Sequence, residues 1–267
     1  MIPRESCGNE LTGHRIRIGR MNQSVILKKW ERLPENMQCD EVRPYYEVLA
    51  RKRGALLAKR LLDFLFALLL FILLFPIMAL IGILVKCSSR GTVFFRQVRV
   101  TRYGKLFRIF KFRTMVADAE QKGTQVTVQN DARVTRIGAM LRRTRLDELP
   151  QLINILKGEM SFVGARPEVV KYVACYTNQM KATLLLPAGI TSEASILFRN
   201  EARLLSQSQN VEQTYITEIL PKKMKYNLDG LLHFSLWHDC VTALRTVAAV
   251  FGRTDASIHK SRENSEG

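Results

Sequence analysis

The chain has 267 residues, 47% of them hydrophobic, and a formal net charge of +17 with an isoelectric point near 10.0. This length suits one core domain with appendages, and the charge favours phosphates, nucleic acid or an anionic membrane surface as partners. Its five cysteines include no Cys-x-x-Cys pair, which argues against structural zinc and favours a reducing compartment. Residues 1–40 are polar and charged, so we expect no N-terminal signal peptide.

The first part of the chain, residues 1–54, is predicted to be a basic N-terminal extension. Its two basic amphipathic stretches, GHRIRIGR and ILKKWERL, are short and separated. This pattern favours a loosely structured cytosolic extension, and contact with a membrane surface is the alternative.

A run of 22 uncharged, mainly apolar residues, 64–85, is long enough to cross the hydrocarbon core of a bilayer. Pro76 removes one backbone hydrogen bond and predicts a bend just before it. Both flanks are basic, so the positive-inside rule gives no direction, and the residues alone support a re-entrant helix and a straight span about equally. Asp63 is costly within hydrocarbon, so we expect it at the interface, paired with Lys59 or Arg60.

The next segment, residues 86–117, contains nine lysines or arginines, no acidic residue and several interleaved aromatics. Within it, FRIFKFR alternates well enough to form a short strand or an interfacial segment. Basic and aromatic residues together also occur in nucleic-acid binders. Because this segment directly follows the apolar run, a surface resting on lipid headgroups is favoured over a nucleic-acid site.

Two adjacent carboxylates mark the stretch LRRTRLDELPQLINILKGEMSFVGARPE, residues 141–168. Asp147 and Glu148 stand just ahead of Pro150, which favours a first helical turn, and Gly158 is suited to end that helix. Free N–H groups at a helix start favour anions, and taken alone the pair is most simply explained as matching of the helix dipole. Consecutive helical residues point about 100° apart, which argues against a shared proton and allows the two groups separate roles.

Arginines flank this pair on both sides. Arg142 and Arg143 precede it on a predicted helix, and Arg143 is four residues before Asp147, a salt-bridge spacing if the helix continues. After the pair, a tight Gly-Ala-Arg-Pro turn holds Arg166 and Pro167. A guanidinium suits a diphosphate because its planar fork binds two oxygens, although such a turn is more often only structural.

Five short segments follow one another in a distinctive order. They are KFRTM (111–115), NDARVTRIG (130–138), LDELPQL (146–152), LKGEMSFVGARPE (156–168) and PAGIT (187–191). In this order they closely resemble the bacterial sugar transferase family, the monotopic polyprenyl-phosphate phosphoglycosyl transferases, over roughly residues 59–251. Ala165 stands where the family often has proline, and ITSEASI replaces the more familiar ITGxAQV, so the resemblance names no sugar.

The resemblance implies transfer of a sugar-1-phosphate from a UDP-sugar to polyprenyl (undecaprenyl) phosphate, with release of UMP. This is the first membrane step in assembly of a glycan such as an exopolysaccharide, O-antigen, capsule or glycoprotein. Asp147 corresponds to the nucleophile that forms an aspartyl-phosphosugar, and Glu148 to the acidic partner associated with Mg²⁺, with Mn²⁺ as the alternative. The substrate-binding positions correspond to Lys111, Arg113, Arg142, Arg166 and Pro167.

The resemblance also favours the re-entrant form of the apolar helix. The predicted fold is α+β and mainly helical, a membrane-associated cytosolic catalytic domain with one N-terminal hydrophobic helix that is re-entrant, with a spanning helix as the alternative. Its expected location is the cytoplasmic face of the bacterial inner membrane, with membrane lipids but no nucleic acid as partners and a homodimer left open. The predicted divisions are an extension (1–54), a membrane helix bent near Pro76 (55–86), a catalytic domain (87–253) and a polar tail (254–267).

Two rival functions remain open at this point. A membrane-anchored basic scaffold, or an inactive family member, would keep the apolar run and the cations but would need neither carboxylate. A multi-span transferase is disfavoured because the sequence contains no other apolar run of 18 residues.

Overall fold

The computed structural model describes residues 27–116, 119, 131–206, 208 and 210–250. These residues form a mainly helical structure with two small two-stranded sheets. Its helices are α1 (Arg43–Arg51), α2 (Arg53–Ser88), α3 (Arg136–Arg143), α4 (Gln151–Leu156), α5 (Val170–Val173), α6 (Glu193–Leu197), α7 (Glu201–Leu205), α8 (Val211–Thr214), α9 (Leu220–Leu232) and α10 (Leu236–Val250), and its strands are β1 (Phe94–Val100), β2 (Leu106–Phe112), β3 (Met160–Val163) and β4 (Ala188–Thr191). The predicted tail 254–267 and the first 26 residues of the predicted extension lie outside the described residues.

The part of the predicted extension from residue 27 onwards folds against the domain, so the expectation of a loosely structured segment is wrong there. Met37 and Leu49 are buried in an apolar cluster together with Ala182, Leu185 and Leu228. These partners lie far along the chain, and their contribution to burial is therefore invisible in the local pattern of the N-terminal segment.

One face of α2 is buried and the other carries large exposed apolar side chains. The buried positions recur mainly every three or four residues, which places them on one helical stripe: Leu56, Lys59, Asp63, Ala67, Met78, Ile81, Gly82 and Val85. On the opposite face, Ile72 and Leu73 are each 65% exposed. Among the described residues, α2 is the one helix long and apolar enough to cross a membrane, and it fits a membrane-associated element.

Both halves of α2 pack against the same domain. The helix continues without interruption through Pro76. In its first half, the Arg60 guanidinium donates to the Ile155 carbonyl at 2.8 Å, and in its second half the Val85 carbonyl accepts from Arg113 at 3.2 Å. The re-entrant course of the helix stays a prediction.

Asp63 of α2 is buried against β3. The Ser161 hydroxyl donates to Asp63 Oδ2 at 2.7 Å, and the Phe162 N–H donates to Oδ1 at 3.2 Å. Lys59 Nζ lies 4.0 Å from Asp63 but only 2.6 Å from Asp239 of α10. The expected pairing with Lys59 is thus long, and the closer partners of Asp63 come from β3.

The two sheets lie beside the stretch that carries the carboxylates. β1 and β2 pair antiparallel, so FRIFKFR forms a strand, the first of the two alternatives predicted for it, and β3 and β4 pair parallel. Phe107 and Ile109 of β2 share a buried cluster with Ala67 of α2 and with Leu152 and Met160. The helix that follows the carboxylates is therefore held between α2 and the β1–β2 hairpin.

Candidate active site

Asp147 and Glu148 form a single 3-10 turn, Leu146–Glu148, immediately before α4. Arg145 precedes this turn in the left-handed conformation, with φ of 59°. Pro150 occupies the N-cap position of α4, and Gly158 follows the end of the helix with φ of 77°, so the helix ends where the sequence predicts. Both carboxylates are more than 90% buried.

The expected i, i+4 pair of Arg143 and Asp147 does not form. α3 ends at Arg143, and the left-handed Arg145 turns the chain before the carboxylates begin. Side chains four residues apart lie on the same face only within a continuous helix, so this spacing does not bring Arg143 and Asp147 together.

Two cations hold Glu148. Lys111 Nζ lies 2.8 Å from Glu148 Oε1, and Arg166 binds both oxygens, with Nη2 donating to Oε1 and Nη1 to Oε2 at 3.3 Å. Burial alone would raise the pKa of Glu148, but the charges of Arg166 and Lys111 outweigh it and hold this pKa well below its usual value. Glu148 is therefore ionised at physiological pH, and its negative charge is balanced by the two cations.

Asp147 has the opposite surroundings. Its Oδ1 is buried and accepts no hydrogen bond from any part of the chain that the structure describes. Burial and the neighbouring Glu148 charge raise the pKa of Asp147, while Lys111 and Arg142 oppose this increase. The two neighbouring carboxylates therefore differ, because Glu148 is held by hydrogen bonds from two cations and Asp147 Oδ1 accepts none from the described residues.

Arg142 approaches the carboxylates from α3. Its Nε donates to the Thr114 hydroxyl at 2.8 Å, which directs the guanidinium. Gly138 makes this approach possible, since a Cβ there would lie 2.1 Å from the Thr114 carbonyl oxygen. The sequence pattern does not predict this contact, although Thr114 belongs to the KFRTM segment.

The turn that carries Arg166 is anchored on both sides. Arg99 of β1 donates to the Pro167 carbonyl at 3.1 Å, and the Val100 N–H donates to the Glu168 carbonyl at 3.0 Å. The buried Glu168 carboxylate also accepts the Tyr215 hydroxyl at 2.6 Å. The contribution of Pro167 to this turn is thus its carbonyl, which accepts the hydrogen bond from Arg99.

The structure does not bring Arg113 into this site. Its buried guanidinium donates to the carbonyl of Val85, to both the carbonyl and the hydroxyl of Ser89, and to the carbonyl of Thr92. These groups lie at and just beyond the C-terminal end of α2, where free carbonyls favour a cation. Arg113 therefore caps α2, and a substrate contact by this residue finds no support in its position.

Comparison with known proteins identifies related sequences. Residues 54–253 match the sequence model of a family described as bacterial sugar transferase. The chain is 36% identical over 217 residues to UDP-glucose:undecaprenyl-phosphate glucose-1-phosphate transferase of Escherichia coli (strain K12), covering 80% of this chain and 44% of that protein. It is 33% identical over 195 residues to UDP-N-acetylgalactosamine-undecaprenyl-phosphate N-acetylgalactosaminephosphotransferase of Aeromonas hydrophila, covering 72% and 43%.

A shorter relative is covered more fully. The chain is 34% identical over 213 residues to the exopolysaccharide production protein ExoY of Rhizobium meliloti (strain 1021), covering 73% of this chain and 85% of that protein. By contrast, the chain spans less than half the length of the Escherichia coli and Aeromonas hydrophila relatives.

Proposed function

The chain belongs to the bacterial sugar transferase family, and we propose that it transfers a sugar-1-phosphate from a UDP-sugar to polyprenyl phosphate, releasing UMP. Two relatives are named as sugar-phosphate transferases that act on undecaprenyl phosphate. The observation that carries the proposal is the contrast within one buried turn. Glu148 is neutralised by two cations, whereas Asp147 keeps an oxygen without a hydrogen-bond partner among the described residues.

In this proposal Asp147 is the nucleophile. One of its carboxylate oxygens attacks the β-phosphorus of the UDP-sugar, and the bond from that phosphorus to the bridging oxygen breaks, so UMP leaves with the electron pair. An oxygen of polyprenyl phosphate then attacks the phosphorus of the aspartyl-phosphosugar and expels the Asp147 carboxylate. A covalent intermediate splits a difficult transfer between two anions into two easier steps.

The surrounding cations supply the charge that this transfer needs. Arg166 and Lys111 already bind an anion, Glu148, and Arg142 lies close enough to influence the ionisation of Asp147. These side chains suit the oxygens of a diphosphate because charge-assisted hydrogen bonds to phosphate are strong and directional. Diphosphate binding and orientation are therefore assigned to Lys111, Arg142 and Arg166.

Glu148 and the phosphates of a bound substrate are suitable ligands for a Mg²⁺ or Mn²⁺ ion. The described residues contain no cluster of three His, Cys, Asp or Glu, but Mg²⁺ is usually held by one or two carboxylates plus phosphates. Glu148 Oε2 accepts one hydrogen bond, from Arg166, and keeps a second lone pair for an ion. Asp147 Oδ1 has no hydrogen-bond partner among the described residues. When bound, the ion would neutralise charge that develops on the diphosphate.

We expect activity to require this ion. Excess EDTA should stop UMP release, and added Mg²⁺ or Mn²⁺ should restore it, because a diphosphate facing carboxylates brings negative charges together. Glu148→Gln should raise the Mg²⁺ concentration for half-maximal rate by about tenfold or more, while the exposed Asp229→Asn should not. Full turnover in excess EDTA would remove Glu148 from the metal role.

The raised pKa of Asp147 predicts an acid limb in the pH–rate profile. The nucleophile must be ionised, so the rate should fall as pH falls through a pKa above the ordinary aspartate value. Because the Arg142 charge lowers this pKa, Arg142→Gln should move the acid limb to higher pH, whereas Arg142→Lys should hold it nearer the wild-type position. Single-turnover UMP release against pH measures this, and a limb that stays in place or moves down contradicts the assignment.

We also propose that both ends of α2 lie on the cytoplasmic face of the bacterial inner membrane. The support is that both halves of α2 contact one domain. In a variant without native cysteines, Ala50→Cys and Thr92→Cys should react from the same side of sealed vesicles. Reaction from opposite sides would indicate a straight span, the arrangement that Pro76→Leu should favour.

The proposed function is tested by UMP release from a panel of UDP-sugars, with and without polyprenyl phosphate. One sugar nucleotide should support continuous UMP release only when the lipid acceptor is present. A membrane-anchored scaffold would release no UMP with any member of the panel, whatever its lipid environment.

A further inference from the structure

The β1–β2 hairpin carries a second group of cations on the face opposite Lys111. Side chains alternate between the faces of a strand, so Arg108 and Phe110 of β2 share one face and Lys111 belongs to the other. Arg96 of β1 is paired with Phe110 in the strand register, which places it on the same face as that ring. These cations are thus separate from those that hold Glu148.

The group is completed by the residues that follow α4. Arg96, Arg108, Lys157 and Glu159 line a cavity of about 400 Å³, which we call the hairpin cavity. The Arg96 guanidinium and the Lys157 ammonium lie 4.5 Å and 4.8 Å from the centre of the Phe110 ring. Three cations and one carboxylate leave two formal positive charges around the hairpin cavity.

A buried side chain of α4 holds the β2 backbone that carries Arg108 and Phe110. Asn154 of α4 is fully buried, accepts the Phe110 N–H at 2.9 Å and donates to the Arg108 carbonyl at 2.9 Å. The same amide donates to Glu159 Oε2 at 2.6 Å, which engages the one carboxylate of the cavity. Cations held together repel one another, and an anion between them relieves that repulsion.

Aromatic residues connect the hairpin cavity to α2. The Phe94 ring lies 6.2 Å from Phe110 and 5.6 Å from Phe112, and Phe112 is buried against Met78 and Val85 of α2. The order from α2 outwards is therefore an apolar helix, a row of aromatic rings and a group of cations. Membrane proteins show this order across the interface between hydrocarbon and headgroups.

We propose that the hairpin cavity binds the phosphate of an anionic phospholipid headgroup beside α2. The proposal depends on the lipid contact of α2 and not on the chemistry at Asp147. Arg96 and Arg108 supply guanidinium forks for the phosphate oxygens, Lys157 adds a third charge, and Phe94 lies between them and the hydrocarbon.

The test uses the full chain in a neutral detergent, titrated separately with dioctanoyl-phosphatidylglycerol, dioctanoyl-phosphatidylcholine and inorganic phosphate. Calorimetry should show phosphatidylglycerol binding at least about tenfold tighter than phosphatidylcholine, with the preference weakened by salt. The variant Arg96→Gln/Arg108→Gln/Lys157→Gln should lose the preference. Arg203→Gln/Lys222→Gln/Lys225→Gln removes the same charge elsewhere and should keep it.

Each remaining outcome contradicts the proposal. Equal loss in both triple variants would indicate a diffuse effect of net charge, and phosphate binding as tight as phosphatidylglycerol would indicate a free-anion site. An RNA oligonucleotide that displaces the lipid, and depends on the same three cations, would indicate nucleic-acid binding. Arg96→Lys/Arg108→Lys keeps the charges and should retain lipid preference, and loss of the preference in this variant would contradict a site that binds phosphate through these charges.

Discussion

Asp147→Asn should reduce UMP release by at least about 10³-fold while leaving the protein folded. The substitution keeps the size of the side chain but removes the oxyanion that attacks the β-phosphorus. Asp147 Oδ1 has no hydrogen-bond partner among the described residues, and burial raises its pKa. The charged group is thus unfavourable in the folded state, and the variant should be as stable as wild type or slightly more stable.

The measurement is single-turnover UMP release together with thermal unfolding in the same detergent. Asp229→Asn, an exposed change of the same type, should leave both unaltered. Peptide mass should show that the introduced amide is intact, because hydrolysis would restore the carboxylate. Turnover at a near-normal rate in the intact variant contradicts the role of Asp147.

Gly189→Ala should strongly destabilise the fold. A Cβ at this position would lie 2.2 Å from the backbone nitrogen and 2.3 Å from the carbonyl oxygen of Gly164. Backbone atoms cannot rotate away as side chains can, so β4 and the turn after β3 must separate. The hydrogen bonds from Gly164 to Thr191 and from Gly189 to Ala165, each 2.9 Å, would be disturbed. We expect a loss of about 3 kcal/mol or more in the free energy of unfolding.

Gly230→Ala is the matched control for this change. Gly230 lies within α9, where a Cβ would meet nothing within 4 Å. Alanine is favoured over glycine inside a helix, so this variant should gain about 0.5–1 kcal/mol. Chemical unfolding of both variants measures the contrast. Gly189→Ala within about 1 kcal/mol of wild type would contradict the close approach of the two segments.

The sequence allows prediction of the features that depend on local pattern. The apolar run predicts α2, because an all-apolar stretch of this length is rare in soluble domains. Gly158 predicts the end of α4, because its left-handed conformation, with φ of 77°, suits glycine. The family resemblance points to Asp147 and Glu148, but the lowered pKa of Glu148 depends on Arg166 and Lys111, which only the fold brings to it. The raised pKa of Asp147 depends on burial and on the Glu148 charge, and the degree of burial is also set by the fold.

Arg113 shows why other roles cannot be predicted in this way. It stands two residues after Lys111, a spacing that places both side chains on one face of a strand. However, β2 ends at Phe112, so the alternation no longer applies to Arg113. Its partners at the end of α2 lie in a different part of the sequence, and no periodicity connects them.

The anchoring of the Arg166 turn is a second feature that depends on distant residues. Lys223 Nζ lies 3.4 Å from Glu168 Oε1 and 3.1 Å from Glu201 Oε2, and all three groups are supplied by separate segments. A glutamate that follows a Gly-Ala-Arg-Pro turn gives no local sign of burial. Only the packing of α7 and α9 against this turn shows that Glu168 is neutralised inside the protein.

The covalent intermediate on Asp147 is tested most directly by mass spectrometry of wild type incubated with its UDP-sugar and no polyprenyl phosphate. We expect release of up to one UMP per active site and a sugar-phosphate adduct on the peptide that contains Asp147, lost when polyprenyl phosphate is added. An adduct on Glu148, or UMP release that depends strictly on the lipid with no adduct on the protein, would contradict it.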